Sequence, residues 1–105
     1  MYRFELEAPE ELSSILAKNV QKRRLEKGMS RTALSSATGV PAPTIAKFEK
    51  DHTISLVSFI ALVRELGYSN EIKSLLSEPR YSTIEELDII NKNKNRKRGR
   101  NENSR

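Results

Sequence analysis

Ser30-Arg31-Thr32-Ala33-Leu34-Ser35-Ser36-Ala37-Thr38-Gly39-Val40-Pro41-Ala42-Pro43-Thr44-Ile45-Ala46-Lys47-Phe48-Glu49 is the stretch whose reading decides the fold. Ser30 is a good helix N-cap, because its hydroxyl can accept a hydrogen bond from an N–H of the first turn that has no intrahelical acceptor. Ala33, Leu34 and Ala37 follow on a short helix. Gly39 stops that helix, since it takes the left-handed C′ conformation without a Cβ penalty. Only Val40 and Pro41 separate it from the next element. Pro43 fits the first turn of that element because no hydrogen bond is lost there, and Ile45 with Phe48 form its inward face over about Ala42 to Lys50. Two short helices meet at a tight turn.

Working outward, the N-terminal side carries one long helix. Pro9-Glu10-Glu11 supplies a proline and two carboxylates suited to a first turn, and Leu12, Ile15, Leu16 and Val20 follow at helical spacing up to Gly28. Before it, Tyr2, Phe4 and Leu6 alternate with charged residues, the period-2 pattern of a short strand that must pair with something, such as a second copy of the chain. On the C-terminal side, Ser55 caps a helix whose Leu56, Phe59, Ile60, Val63 and Leu66 repeat at i, i+3 and i+4 up to Gly67. A fifth helix is expected from Ser69 to Ser77, burying Ile72, Leu75 and Leu76 before Pro79. Ser82-Thr83-Ile84-Glu85 reads as a capping box that opens a sixth helix through Leu87, Ile89 and Ile90. From Asn91 onward there is no apolar residue to bury, so a disordered tail is expected. The chain therefore divides into an N-terminal arm (1–11), a domain (12–78), a C-terminal helix (79–91) and a tail (92–105).

The 105 residues contain no Cys and one His, which excludes disulfide scaffolds, thiolate metal sites and cysteine nucleophiles. No phosphate-cradling glycine loop or metal-ligand spacing appears, so an enzyme, a cofactor and a small-molecule substrate are not expected. His52 beside Asp51 lacks a third ligand or a nucleophile, and reads as exposed loop. There is no apolar run of about 20 residues and no basic-then-apolar leader, so a cytoplasmic protein is expected, one that joins the nucleoid when it is bound to DNA. The net charge of +5 is unevenly placed: residues 18–50 carry +6 and residues 91–105 carry +6, while residues 1–17 and 51–90 carry −3 and −4. Two positive segments in an acidic remainder point to a polyanionic partner.

Two short helices at a tight turn, flanked by longer ones, form the layout of a helix-turn-helix, whose second helix enters the major groove. The pattern Arg24, Gly28-Met29-Ser30, Leu34, Gly39-Val40, Thr44-Ile45 and Phe48-Glu49 resembles the motif of XRE/Cro-type regulators over about residues 18–66. That resemblance implies an all-α, lambda-repressor-like domain of five to six helices. Arg3-Phe4-Glu5-Leu6, Pro9-Glu10-Glu11-Leu12, Ile54-Ser55-Leu56 and Arg96-Lys97-Arg98 further resemble the branch of small regulators encoded beside HipA-type kinase toxins, which act as antitoxins. The implied function is a DNA-binding repressor, a homodimer on a palindromic double-stranded operator, with a HipA-type kinase as partner. A stand-alone regulator is the alternative, and an RNA- or ribosome-associated bridging protein is another.

If Ile45 and Phe48 face inward, then Ala42, Pro43, Thr44 and Lys47 face outward, and Lys50 follows one turn after Lys47. Thr44 can hydrogen-bond a base or place its methyl on thymine, and Lys47 can reach guanine or phosphate. Members of the resembled family often carry Gln where Arg31 stands; Arg31 keeps a donor and adds charge, leaving both phosphate and guanine open to it. They usually have polar residues where Ala42 and Pro43 stand, so part of any preference would come from DNA shape. The resemblance also implies an ion pair between Arg24 and Glu49. In the tail, Arg96, Lys97, Arg98 and Arg100 are expected to attract phosphates or to follow the minor groove.

Overall fold

The computed structural model describes residues 7–97, and within them six helices follow one another: α1 (Pro9–Glu26), α2 (Arg31–Thr38), α3 (Ala42–Asp51), α4 (Leu56–Glu65), α5 (Ser69–Ser74) and α6 (Ile84–Asn93). No strand occurs among the described residues, so the architecture is all-α. The strand expected over Tyr2 to Leu6 and the tail beyond Lys97 lie outside them.

Local chemistry sets the helix ends. At α1 the Glu11 carboxylate accepts from the Ala8 N–H at 2.8 Å, with Pro9 in the first turn. Ser30 Oγ accepts from the Ala33 N–H at 3.0 Å to start α2, and Ser55 Oγ does the same for Ser58 at 3.1 Å to start α4. Gly39 closes α2 at φ 82°, a conformation that would strain a residue with a Cβ. The turn that follows is stitched by Thr38: its hydroxyl donates to the Leu34 carbonyl at 2.8 Å and accepts from the Val40 N–H at 3.1 Å. Pro41 precedes α3, and its carbonyl accepts from Thr44 and Ile45. His52, expected in an open loop, instead caps α3 in the left-handed conformation at φ 67°, its N–H donating to the Phe48 carbonyl at 2.8 Å.

The chain forms two compact units, Met1–Lys73 and Ser74–Arg105. In the first, α3 packs on α1 and α2, and α2 packs on α4. Its core joins Ala17 and Val20 of α1, Leu34 of α2, Val40 of the turn, Ile45 and Phe48 of α3, and Leu62, Val63 and Leu66 at the end of α4. Phe48 meets Phe59 edge to face, with ring centroids 5.8 Å apart.

Burial departs from the apolar spacing in three places. On α4 the fully buried residue is Leu62, whereas Leu56, placed on the inward stripe, is 71 % exposed. It sits at the first position of the helix, while the buried residues of α4, Leu62 and Val63, lie in its second half. On α1, Leu12, Ile15 and Leu16 are nearly half exposed, and burial begins only at Ala17. Finally, α5 ends at Ser74 rather than Ser77: Ser77 turns both its N–H and its hydroxyl back to the Ser74 carbonyl. Leu76 then adopts φ 65° and is 93 % exposed, so Leu75 and Leu76 are not buried, while Ile72 packs on the core.

In the second unit the N-cap is Thr83, one residue later than the Ser82 to Glu85 spacing places it. Thr83 Oγ1 accepts from the Glu86 N–H at 3.1 Å, and Glu86 Oε1 accepts from the Ser82 N–H at 2.6 Å. The Thr83 hydroxyl meets the first-turn N–H of Glu86, and the Glu86 carboxylate reaches past the cap to the residue before it, Ser82. Hydrogen bonding to its carboxylate, from the Ser82 N–H first and then from the Ser82 hydroxyl and the Thr83 backbone, holds the Glu86 carboxyl below its ordinary pKa. The helix runs to Asn93, which takes Lys92 and Asn93 out of the expected tail. None of its residues is fully buried.

Candidate nucleic-acid interface

The proline before α3 and the glycine after α2 fix a short turn, and with it the angle at which α3 stands on the core. Ile45 and Phe48 are buried, so the rest of the helix surface follows from the 3.6-residue period. Pro43, Lys47 and Lys50 are exposed, and Ala42 and Thr44 are half-buried. Neither lysine has an acidic partner among the described residues.

Arg31 is the first residue of α2. It lies across a shallow open depression from α3, with Ser30, Arg31 and Thr32 on one side and Ala42, Pro43 and Ala46 on the other. The start of α2 and the start of α3 thus share one surface. No acidic residue sits in the first turn of either helix, so their amide dipoles present positive potential there.

Beneath this surface lies a charge cluster. Arg24 is 5 % exposed, and its Nε and Nη2 donate to Glu49 Oε2 and Oε1 at 2.8 and 3.0 Å. Its Nη1 donates to the Met29 carbonyl at 2.9 Å, tying the end of α1 to the loop before α2. Arg31 also reaches Glu49: its Nε donates to Oε1 at 2.9 Å, with the Arg31 side chain 45 % exposed and the Glu49 side chain 1 % exposed. One carboxylate therefore serves two guanidiniums. The Arg31 arm escaped the sequence reading, because 18 positions separate it from Glu49 and the resembled family commonly has Gln at that place. The only available signal was an unpaired cation three residues before an apolar-patterned helix's midpoint, which is too common to use.

The remaining candidates lie apart from this surface in the sequence. Arg96 and Lys97 are exposed just after α6, and Arg96 Nη1 donates to Asn93 Oδ1 at 3.2 Å. Arg98 and Arg100 fall outside the described residues. Among the described residues no three metal-ligating side chains gather, and no helix is long and apolar enough to cross a membrane.

Residues 20–69 match the helix-turn-helix family, a span that takes in the end of α1 from Val20, all of α2 to α4 and the start of α5. No curated protein and no solved structure matches the chain. The tight turn between α2 and α3 and the outward face of α3 agree with that match, so over residues 20–69 the chain is similar to the helix-turn-helix family.

Proposed function

We propose that the protein is a transcriptional repressor that binds a palindromic operator as a homodimer. The observation that carries this reading is the outward face of α3, where Pro43, Thr44, Lys47 and Lys50 face away from Ile45 and Phe48, with Arg31 beside the helix start. In this arrangement α3 lies in the major groove: Thr44 and Lys47 meet base edges, while Arg31 and Lys50 meet the flanking phosphates. Ala42 and Pro43 bring no side-chain donor, so DNA shape contributes to the preference. Arg96, Lys97, Arg98 and Arg100 add phosphate contacts without sequence preference. The reading of a dimer is supported by apolar side chains left exposed in both units: Leu12, Ile15 and Leu16 in the first, and Leu75, Leu76, Tyr81, Ile84 and Ile89 in the second.

Selection of duplexes from a random-sequence library tests the reading. The expected product is an inverted repeat whose half-sites lie about 34–36 Å apart, one turn of duplex. A library that stays random after selection in physiological salt overturns it.

The narrower reading makes this repressor the antitoxin of a HipA-type kinase. What supports it is the likeness of the flanking segments, Arg3 to Leu6 and Arg96 to Arg98, to that branch of regulators. Purification of the full chain from its native host is expected to recover a kinase-like partner in stoichiometric amount. Recovery of the chain alone overturns the antitoxin reading and leaves the repressor standing.

A further inference from the structure

We infer that Glu49 is a positioning residue for DNA binding, acting through Arg31: it holds the Arg31 guanidinium at the start of α2 so that a backbone phosphate is gripped in fixed register with α3. The inference rests on the DNA-binding reading above and specifies how one phosphate is held.

Glu49 belongs to α3, and its carboxylate is almost wholly buried. Arg24 alone fills both of its oxygens, through Nε and Nη2. Stability therefore does not require the second guanidinium, yet Arg31 Nε also donates to Oε1 at 2.9 Å. The cluster holds two positive charges against one negative, and the uncompensated charge is on the half-exposed member, Arg31. A guanidinium has five N–H donors in a rigid plane. With Nε anchored on the protein, the plane is oriented and its terminal nitrogens remain to receive an anion at the surface shared by the starts of α2 and α3. A phosphate oxygen is the anion that lies there when α3 is in the groove, because the first helix of the pair crosses the DNA backbone.

The anchor changes what the contact does. A free surface lysine grips phosphate with about four rotatable bonds between its charge and its backbone, so it adds affinity with little positional information. Arg31 is tied at its far end to α3 itself. Moving α3 by one base step displaces the grip, so the phosphate contact contributes to discrimination as well as to affinity.

Titration of the full chain against a duplex at several salt concentrations, for the native protein and for Arg31→Ala, Glu49→Gln, the double variant and Arg31→Lys, tests this. Simple electrostatics says that Glu49→Gln, one unit more positive, binds DNA more tightly; positioning says that it binds more weakly. Arg31→Ala is expected to weaken binding about tenfold in the native background and about twofold or less in the Glu49→Gln background, because the two residues act as one unit. Arg31→Lys keeps the charge but lacks the anchored fork, and is expected to show most of the Arg31→Ala loss. Equal losses for Arg31→Ala in both backgrounds overturn the inference, as does native affinity in Arg31→Lys. The latter variant leaves the Arg24 and Glu49 pair intact, so it decides the matter even where Glu49→Gln unfolds. If the native chain binds no duplex at all, the DNA reading fails and the inference falls with it.

Discussion

The helix-turn-helix block and the C-terminal helix are written in the same alphabet and end differently. In α3, Ile45 and Phe48 at i and i+3 are buried; in α6, Ile84 and Leu87 at the same spacing are exposed and half-buried. Both helices have ten residues and both follow a clear start signal. What differs is that α3 has two helices against it, α1 and α2, while every residue of α6 keeps some exposure. Amphipathic spacing therefore says which face is apolar, and a neighbouring element is needed before that face contributes stability.

Four substitutions break or sharpen that contrast. The largest effect is expected for Leu34→Ala, which empties the centre of a core of only nine residues and costs about 3–5 kcal/mol in thermal or denaturant unfolding. The matching truncation in the second unit, Ile89→Ala, is expected to change monomer stability by less than about 0.5 kcal/mol. A comparable loss in both would erase the contrast. Next comes Arg24→Ala, at about 3 kcal/mol, since it strips two of three hydrogen bonds from a carboxylate 1 % exposed and frees the Met29 carbonyl. Urea unfolding measures it, and a loss under 1 kcal/mol, at the level of a surface pair, would show the cluster to be solvated. Ser30→Ala removes the α2 cap and is expected to cost about 1 kcal/mol, read as a fall in midpoint temperature.

The smallest effect belongs to Glu86. Its carboxyl is held below the ordinary pKa by the Ser82 N–H, so its contribution to the first turn of α6 is complete above the ordinary carboxylate range and is lost as pH falls through the lowered value. The Glu86 carboxyl and the Ser82 N–H signal it holds are therefore expected to shift together on acidification, below the ordinary glutamate range. In Glu86→Gln that acid step disappears. A Ser82 N–H signal that responds equally in both proteins would assign the step to another group.

Most of the fold was legible because helix ends are local chemistry. Ser30, Gly39, Pro43 and Ser55 each act within three or four residues, and a linear reading can see that far. The errors arose where two local signals compete or where burial depends on a distant neighbour. Ser82 and Thr83 both head a spacing of three to a glutamate, and only the geometry chooses Thr83 with Glu86. Leu56 and Leu62 share one apolar-patterned helix and only Leu62 is buried, and nothing within α4 states which. Leu75 and Leu76 looked like helix because apolar residues continue past Ser74, whereas the Ser77 hydroxyl closes the turn first. In the candidate interface, the outward face of α3 follows from Ile45 and Phe48 alone. The tie between Arg31 and Glu49 spans two helices and was not legible from spacing.

The length of α3 limits how much sequence one copy of the chain can read. Ten residues at 1.5 Å each make a rod of about 15 Å, and duplex DNA advances about 3.4 Å per base pair, so the helix faces about four pairs. Four fully read pairs recur by chance about once in 256 positions, and eight, as a second copy would allow, about once in 65,000. Information, more than affinity, is what a recognition helix of this length lacks. Doubling it and adding the mechanical character of the DNA between half-sites are the two ways such a chain can address one place in a genome.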